Sequence, residues 1–570
     1  MTSAAASAGG AANGAKRLVV WFRNDLRLHD NYCLHDAAQR VKKGEYTEVL
    51  PVYCFDPRTY AITQWGSHKT GPFRAAFLLE SVAELKASLR GLGSDLLVAV
   101  GRPEDVLPGL LVGSATPLVL TAEEVGTEEA AVDVAVARAI KPSGGKLLRY
   151  WGGTLFHHDD LTPALFSPGL KNMPDVFTPF KEKVERAATV RKDLPPPAAG
   201  SLPLPAAAAL PPAAAAALAA PAPAWGELPW PAGAVPAVPQ RHPKLVMDFK
   251  GGEAAALARL QHYLWGSDAV ATYFDTRNGM LGADASTKFA PWLAAGCLSP
   301  RKVYHEIKRY EAAKGGNKST YWVIFELIWR DYFRFYALKY GAKLFWEHGP
   351  AGRPAGAGRD GWRSDPEAFR RWAEGRTGLP LVDACMRELA ATGWMSNRGR
   401  QNVASLLALE LGLDWRKGGD HFESLLLDYD VASNWGNWAA AAGLTGGRVN
   451  LFNIVKQSKD YDPDGSYVRT WCPELARVPT AHVHEPWTMS GAEQEATGCR
   501  IGTDYPAPMP GTRYGGRGGG YSGGGGYSGG GGGRPQSGRG GSGGGRGGGR
   551  SGGGGGRGGG RPRSDFERYN

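Results

Sequence analysis

Five short apolar runs, each followed by a segment of helical character, occupy the first third of the chain, and the pattern stops there. They are Arg17 to Arg23 (RLVVWFR), Glu48 to Phe55 (EVLPVYCF), Asp95 to Gly101 (DLLVAVG), Pro117 to Thr121 (PLVLT) and Lys146 to Trp151 (KLLRYW). Near-continuous apolar strands separated by helices predict a parallel sheet covered on both faces, a doubly wound α/β domain over residues 16–194. The first run leads into WFRNDLRLHDN rather than a G-x-G-x-x-G turn, which argues against a dinucleotide site of the common kind. Residues 195–244 are dominated by Pro and Ala, with Trp225 and Trp230 embedded, and read as a semi-rigid connector. From 245 to 490 strand signals vanish. Helical periodicity covers Glu253 to Trp265, Ser299 to Tyr310, Thr320 to Tyr340, Leu379 to Ala391 and Asn397 to Leu411, so the second domain is expected to be all-α. Residues 491–510 read as irregular, and 1–15 and 511–570 as disordered.

Charge is distributed as unevenly as pattern. The chain carries +11, yet residues 511–570, with ten Arg, no Lys and two acids, account for +8 of it and hold 32 of the 81 glycines. A uniformly basic protein is thereby excluded. No stretch approaches the roughly twenty apolar residues of a membrane span, and the Ala206–Ala220 run is broken by proline, so no membrane partner is expected. The six cysteines are scattered without a CxxC pair, which fits a reducing, intracellular setting and suggests neither disulfides nor a zinc site. An Ala/Ser/Gly leader without acids, followed by Lys16 and Arg17, is compatible with a chloroplast or mitochondrial transit peptide. It lacks the arginine-rich amphipathic pattern, which leaves nucleus or cytoplasm as the alternative.

Four segments of the second domain place polar residues where packing alone does not call for them. In Glu326-Leu-Ile-Trp329-Arg330, spacings of three and four put carboxylate, indole and guanidinium on one helix face. In GWMSNRGRQ (393–401), Asn397, Arg400 and Gln401 share a face opposite Val403, Leu406 and Leu407. In DYDVASNWGNW (428–438), Asp428 and Asp430 precede Asn434 and Trp438. Ser286, Thr287 and Lys288 stand before a Pro291-Trp292 helix start, an arrangement suited to phosphate. Each also has an ordinary reading as a surface ion pair, a solvated face or a helix cap. The order in which they occur is far more specific than any one of them.

Those segments, with VVWFRNDLRLHDN, TRNGMLGADASTKFAPWLAAGCLSPR, FELIWRDYFRF and FNIVKQSKDYDPDGSYVRTWCPEL, give the chain a resemblance to the photolyase/cryptochrome flavoproteins over about residues 16–480. Gln401 and the RNDLRLHDN pattern resemble the DASH-type members. The resemblance implies an α/β antenna domain and a helical domain binding FAD in a U shape. Carried over by position, Tyr273, Ser286, Thr287, Lys288 and Phe289 would cradle the pyrophosphate, and Asn397, Arg400, Asp428, Asp430 and Asn434 would surround the flavin ring. Trp438, Trp415 and Trp362 would pass electrons from the surface. Glu326, Trp329, Trp394, Asn397 and Gln401 would form the pocket for a pyrimidine dimer. Glu124 would contact an antenna pterin, 5,10-methenyltetrahydrofolate; the ordinary reading of AEEVGTEE is a solvated acidic loop. Ala290 and Ala440 stand where the family commonly has a serine and an aromatic residue. His157, His158, Asp159 and Asp160 resemble a family loop, and no metal is assigned.

The implied activity is light-driven repair of cyclobutane pyrimidine dimers by a monomer that prefers single-stranded or looped DNA. The alternative is a blue-light photoreceptor with little repair. The tail, with GGGRGGGR repeats and Tyr514, Tyr521 and Tyr527, resembles an RGG box, which binds single-stranded nucleic acid such as RNA; its ordinary reading is a flexible extension.

Overall fold

The computed structural model describes residues 15–353 and 361–515. Strands β1 (Arg17–Phe22), β2 (Glu48–Phe55), β3 (Leu97–Val100), β4 (Leu118–Ala122) and β5 (Lys146–Tyr150) pair in parallel in the order β3-β2-β1-β4-β5. All six residues of the central β1 are buried, whereas β5, at the edge, exposes Lys146 and Arg149. Charged edge positions discourage pairing with another sheet. Alternate β1 residues serve opposite faces. Leu18, Val20 and Phe22 pack with Leu34 and Ala37 of helix α1 (Tyr32–Lys42) and Phe77, Val82 and Leu85 of α2 (Pro72–Gly91). Val19 and Trp21 pack with Leu107 and Leu110 of α3 (Pro103–Leu110) and Val136 and Ile140 of α4 (Thr127–Ile140). The doubly wound domain expected from the apolar runs is therefore present.

The Pro/Ala segment is not a free spacer. Its Pro203 carbonyl accepts from Val49 N at 2.7 Å, Ala209 O from Arg17 at 3.0 Å and Leu218 O from the buried Lys86 at 2.8 Å. The helix Pro212–Ala219 lays Ala214, Ala215 and Leu218 on the sheet face covered by α3 and α4. Composition suggested a spacer because alanine carries little apolar area. That small size also lets a backbone approach close enough for its carbonyls to serve cations in the next layer.

The remaining described chain is helical. The longest helix, Lys318–Tyr340, begins at Asn317, whose side chain accepts from the N–H groups of Ser319 and Thr320. Such a cap satisfies two donors that the first helical turn leaves unpaired. Residues 491–510 include a helix, Gly491–Thr497, and Tyr505 donates to buried Asp383 at 2.6 Å, so this stretch is folded rather than irregular. The first tail residues are also packed: Thr512 is buried, Arg513 pairs with Glu410, and Tyr514 lies 5.8 Å from Trp487. Residues 516–570 and 1–14 lie outside the described residues, and with them the rest of the tail and leader readings.

The RNDLRLHDN motif joins the two halves. Asp30 accepts both Arg301 Nη2 at 2.6 Å and Nε at 2.9 Å, and Glu253 accepts from the N–H groups of Leu28 and His29 at 2.6 and 3.0 Å. Gly296 permits the contact, since a Cβ there would stand 2.0 Å from the Asn24 carbonyl oxygen.

Candidate functional site

The loop Ala283–Lys288 is held from behind by Arg259, which donates to the carbonyls of Ala283, Ser286 and Thr287 at 3.0 to 3.1 Å and to Asp284 at 2.7 Å. Lys288 follows with φ +54°, a left-handed conformation strained for a side-chain-bearing residue. The residue is 4% exposed, and its ammonium reaches Ser286 Oγ at 3.2 Å and lies 5.1 Å from the Trp394 ring. Desolvation lowers its pKa to about 8. Nearby Glu388 is buried, accepts the Tyr467 hydroxyl at 2.6 Å, and is pushed up to about 8 by burial. A buried cation served by a hydroxyl fits an incoming phosphate. The helix Ala290–Ala295 that follows is only six residues long, so its dipole adds little to Lys288 and the hydroxyls. Tyr273 and Phe289 are buried beneath the loop.

Arg400 Nη2 donates to Asp428 Oδ2 at 2.8 Å, which brings together two of the residues that the family resemblance implied around the ring. Asp428 Oδ1 is buried with no hydrogen-bond partner among the described residues, an acceptor that suits an N–H of a bound flavin. Asp430 caps the helix Val431–Ala441 by accepting from Ser433 N at 2.8 Å. Burial would raise its pKa, but Arg330, 3.7 Å away, and Arg334 hold it below the ordinary value. Asn434 donates from Nδ2 to Gly419 O at 3.0 Å, which fixes the orientation of its amide. Phosphate-suited cation, unpartnered acceptor and fixed amide together fit FAD.

Trp438 and Trp415 are buried and Trp362 half-buried. The indole N–H groups of Trp415 and Trp362 both donate to the Glu347 carbonyl, at 3.1 and 3.3 Å. Trp438 rests on Gly418, one turn along the helix Trp415–Leu425; a Cβ there would stand 2.3 Å from its ring. The structure thus brings all three into one region.

The expected dimer pocket is assembled only partly. Glu326 leaves 40% of its side chain open and lies 3.9 Å from Arg277 Nε. The protein around it still desolvates the carboxyl and raises its pKa, against the opposing charges of Arg277 and Arg398. Arg398 donates to Gln401 Oε1 at 2.8 Å and Asn278 Oδ1 at 2.9 Å, and lies 4.6 Å over the Tyr461 ring. Asn397 is exposed at the start of the same helix. Trp329 has one face covered by Phe177, stacked at 3.6 Å. Trp394 does not line the opening; it is 6% exposed between Phe249 and Lys288, on the cradle side. Arg330 also leaves Glu326, turning to the Leu293 carbonyl at 3.1 Å and to Asp430. Arg277, Arg398 and Arg259 were missed by sequence reasoning because their partners come from distant segments and no spacing marks them.

Glu124 sits in the crevice where the strand order reverses between β1 and β4, the place where open α/β sheets bind ligands. It is buried, pairs with Arg334 at 2.9 Å and accepts from Asn24 at 3.1 Å, and so is not on a solvated loop. A separate cavity of about 130 Å³ lies between α2, His242 and Phe249, and none of the candidate residues lines it. In the HHDD segment, His157 accepts from Asp159 N, and Asp160 pairs with Arg191 at 2.7 Å. Among the described residues, no helix is long and apolar enough to cross a membrane.

Comparison with known proteins agrees with this geometry. Residues 18–199 match the family described as DNA photolyase, and 322–514 that described as FAD binding domain of DNA photolyase. The chain is 50% identical over 507 residues to "Cryptochrome DASH, chloroplastic/mitochondrial" of Ostreococcus tauri, covering 86% of this chain and 90% of that protein. It is 48% identical over 496 residues to cryptochrome DASH of Gloeobacter violaceus, covering 87% and 93%. The crystal structure of a Synechocystis cryptochrome superposes with a TM-score of 0.75 at 43% identity, over 87% of this chain and 96% of that one. A class III photolyase from Agrobacterium tumefaciens gives 0.70 at 27% identity, over 88% and 96%. The chain belongs to the photolyase/cryptochrome family, in its cryptochrome DASH branch, and carries that family's FAD-binding domain.

Proposed function

We propose that the protein repairs cyclobutane pyrimidine dimers in single-stranded or looped DNA under light. The observation that carries this reading is the open Glu326 carboxyl with its raised pKa, set between Arg277 and the Arg398–Gln401 pair. A carboxyl whose pKa is raised by desolvation takes up a proton more readily, and once protonated it can donate a hydrogen bond to a pyrimidine carbonyl and stabilise charge that develops there. Arg277 and Arg398 would hold the flanking phosphates, and a dimer, already poorly stacked, costs less to turn out of a strand than an intact pair. Lys288, Ser286 and Thr287 would hold the FAD pyrophosphate, Arg400 and Asp428 the ring edge, and Asn434 a ring nitrogen. When bound in reduced form, FAD supplies the light-excited electron that opens the cyclobutane ring. Trp438, Trp415 and Trp362 would re-reduce it, and Glu124 with Asn24 would hold the pterin of an antenna folate.

Reduced protein is illuminated with dimer-bearing oligo(dT) in single-stranded and duplex form, and monomer thymine is read by absorbance. Recovery on the single strand, weaker on the duplex, is expected; no light-dependent recovery on either contradicts the reading. Two observations favour a photoreceptor instead: Phe177 covers a face of Trp329 that a dimer would use, and Ala440 supplies no aromatic wall. The same assay decides between them. The Gly/Arg tail would add a salt-sensitive arm for single-stranded DNA or RNA. Deleting residues 516–570 without changing low-salt binding of either nucleic acid contradicts that. Residency in an organelle would follow the naming of the Ostreococcus tauri relative; a fluorescent fusion that localises identically without residues 1–15 contradicts a transit role for them.

A further inference from the structure

A buried contact beside Trp415 is used by none of the roles above. Trp435, on the helix Val431–Ala441, stands edge-on to Trp415 with ring centroids 5.8 Å apart and planes at 77°. Its indole N–H is shared between Glu423 Oε2 at 3.3 Å and Tyr429 Oη at 3.2 Å. Glu423 is 5% exposed, and its Oε1 is buried without a hydrogen-bond partner among the described residues. Arg74, the nearest cation from α2, donates to the Glu423 backbone carbonyl at 2.7 Å and lies 4.6 Å over the Tyr429 ring. Burial raises the pKa of the Glu423 carboxyl against the opposing charges of Arg74 and Lys69 and the hydrogen bonds of Tyr429 and Trp435, so a carboxylate held here takes up a proton more readily than one in water. Packing gives no reason for a carboxylate here, because an apolar side chain of equal volume would bury at lower cost.

The chemistry of indole supplies a reason. An indole that has lost an electron becomes a far stronger acid at its N–H, comparable with a carboxylic acid. A base already hydrogen-bonded there removes the proton at once and keeps the electron from returning. We propose that Trp435 is a fourth electron-donating tryptophan and that Glu423 is the base that takes its proton. This rests on the reading of Trp438, Trp415 and Trp362 as an electron path to a light-excited oxidised flavin. Trp415, having given one electron inward by way of Trp438, is refilled by one electron from Trp435. The Nε1–H bond of Trp435 breaks and the proton forms an O–H bond at Glu423 Oε2. The products are a neutral tryptophan radical and a neutral carboxylic acid, so the oxidising equivalent created by light is stored within the protein and away from its surface. Trp362, half-buried, would offer the competing outward branch, and both branches meet at Trp415.

The test uses the whole protein with oxidised FAD bound and no DNA. A blue flash is followed by transient absorption of tryptophan radicals in H2O and in D2O, for wild type, Trp415→Phe, Trp362→Phe, Trp435→Phe and Glu423→Gln. Flavin content of each variant is measured first. The proposal expects Trp362→Phe to keep a neutral radical and the Trp362→Phe/Trp435→Phe double variant to lose it. It also expects Glu423→Gln to lose the neutral form and its solvent isotope effect while the protonated radical still appears. Loss of all radical in Trp362→Phe alone, or Trp435→Phe and Glu423→Gln traces identical to wild type, overturns the proposal and leaves the three-tryptophan path standing. No radical in wild type, or no effect of Trp415→Phe, overturns the path itself and the proposal with it. Equal loss of flavin from Trp435→Phe and Glu423→Gln assigns the pair to packing and also overturns the proposal.

Discussion

Lys288 carries the proposed cofactor role at the scale of one residue. Burial lowers its pKa from 10.5 to about 8, which corresponds to about 3 kcal/mol spent on keeping the ammonium charged in the flavin-free fold. A bound pyrophosphate reverses that, because an adjacent anion favours the charged form and raises the pKa again. Binding therefore takes up a proton when the pH lies above about 8. Below that pH the lysine is already charged, and affinity for FAD is greatest. As the pH rises through it, affinity should fall, and the fall should vanish in Lys288→Met, whose affinity is lower throughout. Fluorescence titration of apoprotein with FAD on either side of pH 8 reads both. At this scale the sequence was informative where side chains share a short segment. Ser286, Thr287 and Lys288 adjoin, and Arg400 and Asp428 stand in recognisable motifs. It was silent on Arg259 and Arg277, whose partners are supplied by the fold, and it set Trp394 in the pocket wall, since nothing in GWMS says that this link between two helices turns the indole toward the cradle.

At the scale of elements, the helix Val431–Ala441 is pressed between two neighbours by glycines. A Cβ on Gly436 would stand 2.3 Å from Phe333 of the helix Lys318–Tyr340, and one on Gly418 equally close to Trp438. Those contacts set Asn434 and Trp438 at the proposed flavin site and Trp329 at the cleft from opposite sides of one interface. Gly436→Ala should cost about 1 to 3 kcal/mol by overpacking, measured by chemical denaturation, and should reduce flavin content, because the helix must shift to admit the methyl group. A substitution that changes neither contradicts the close packing. The strands were legible to within two residues because continuous apolar runs flanked by helices have few other uses. The Pro212–Ala219 helix was not legible, because its fit depends on acceptors offered to Arg17 and Lys86 rather than on apolar pattern.

For the whole molecule, the decisive feature is how firmly the two domains are joined behind the site. Asp331, fully buried on the helix that carries Glu326, accepts from Leu155 N at 2.9 Å and Phe156 N at 2.8 Å in the loop after β5. Desolvation raises its pKa from 3.8 to about 7, only partly offset by those hydrogen bonds and by Arg330. An acid that binds its proton more tightly when folded adds stability at low pH and loses it as the pH rises through the folded value. The unfolding free energy should therefore decline by up to about 4 kcal/mol between the two pKa values on account of this group alone. Asp331→Asn should flatten that decline, and denaturation of both proteins across the interval measures it; parallel curves would contradict the assignment. A parallel-sheet part followed by a helix-rich part was legible from the loss of strand signals along the chain. The joint was not, because Asp30, Arg301 and Glu253 meet only once both domains have folded.

The central claim, that an open carboxyl beside a bound flavin stabilises a dimer during its light-driven cleavage, is tested most directly by the initial rate of thymine recovery from a single-stranded dimer. The comparison is between wild type and Glu326→Ala, reduced and matched for flavin content. A slowing of about a hundredfold in the variant, the scale of losing one preorganised donor, is the predicted result. Equal rates, or no recovery by the wild type, would contradict it.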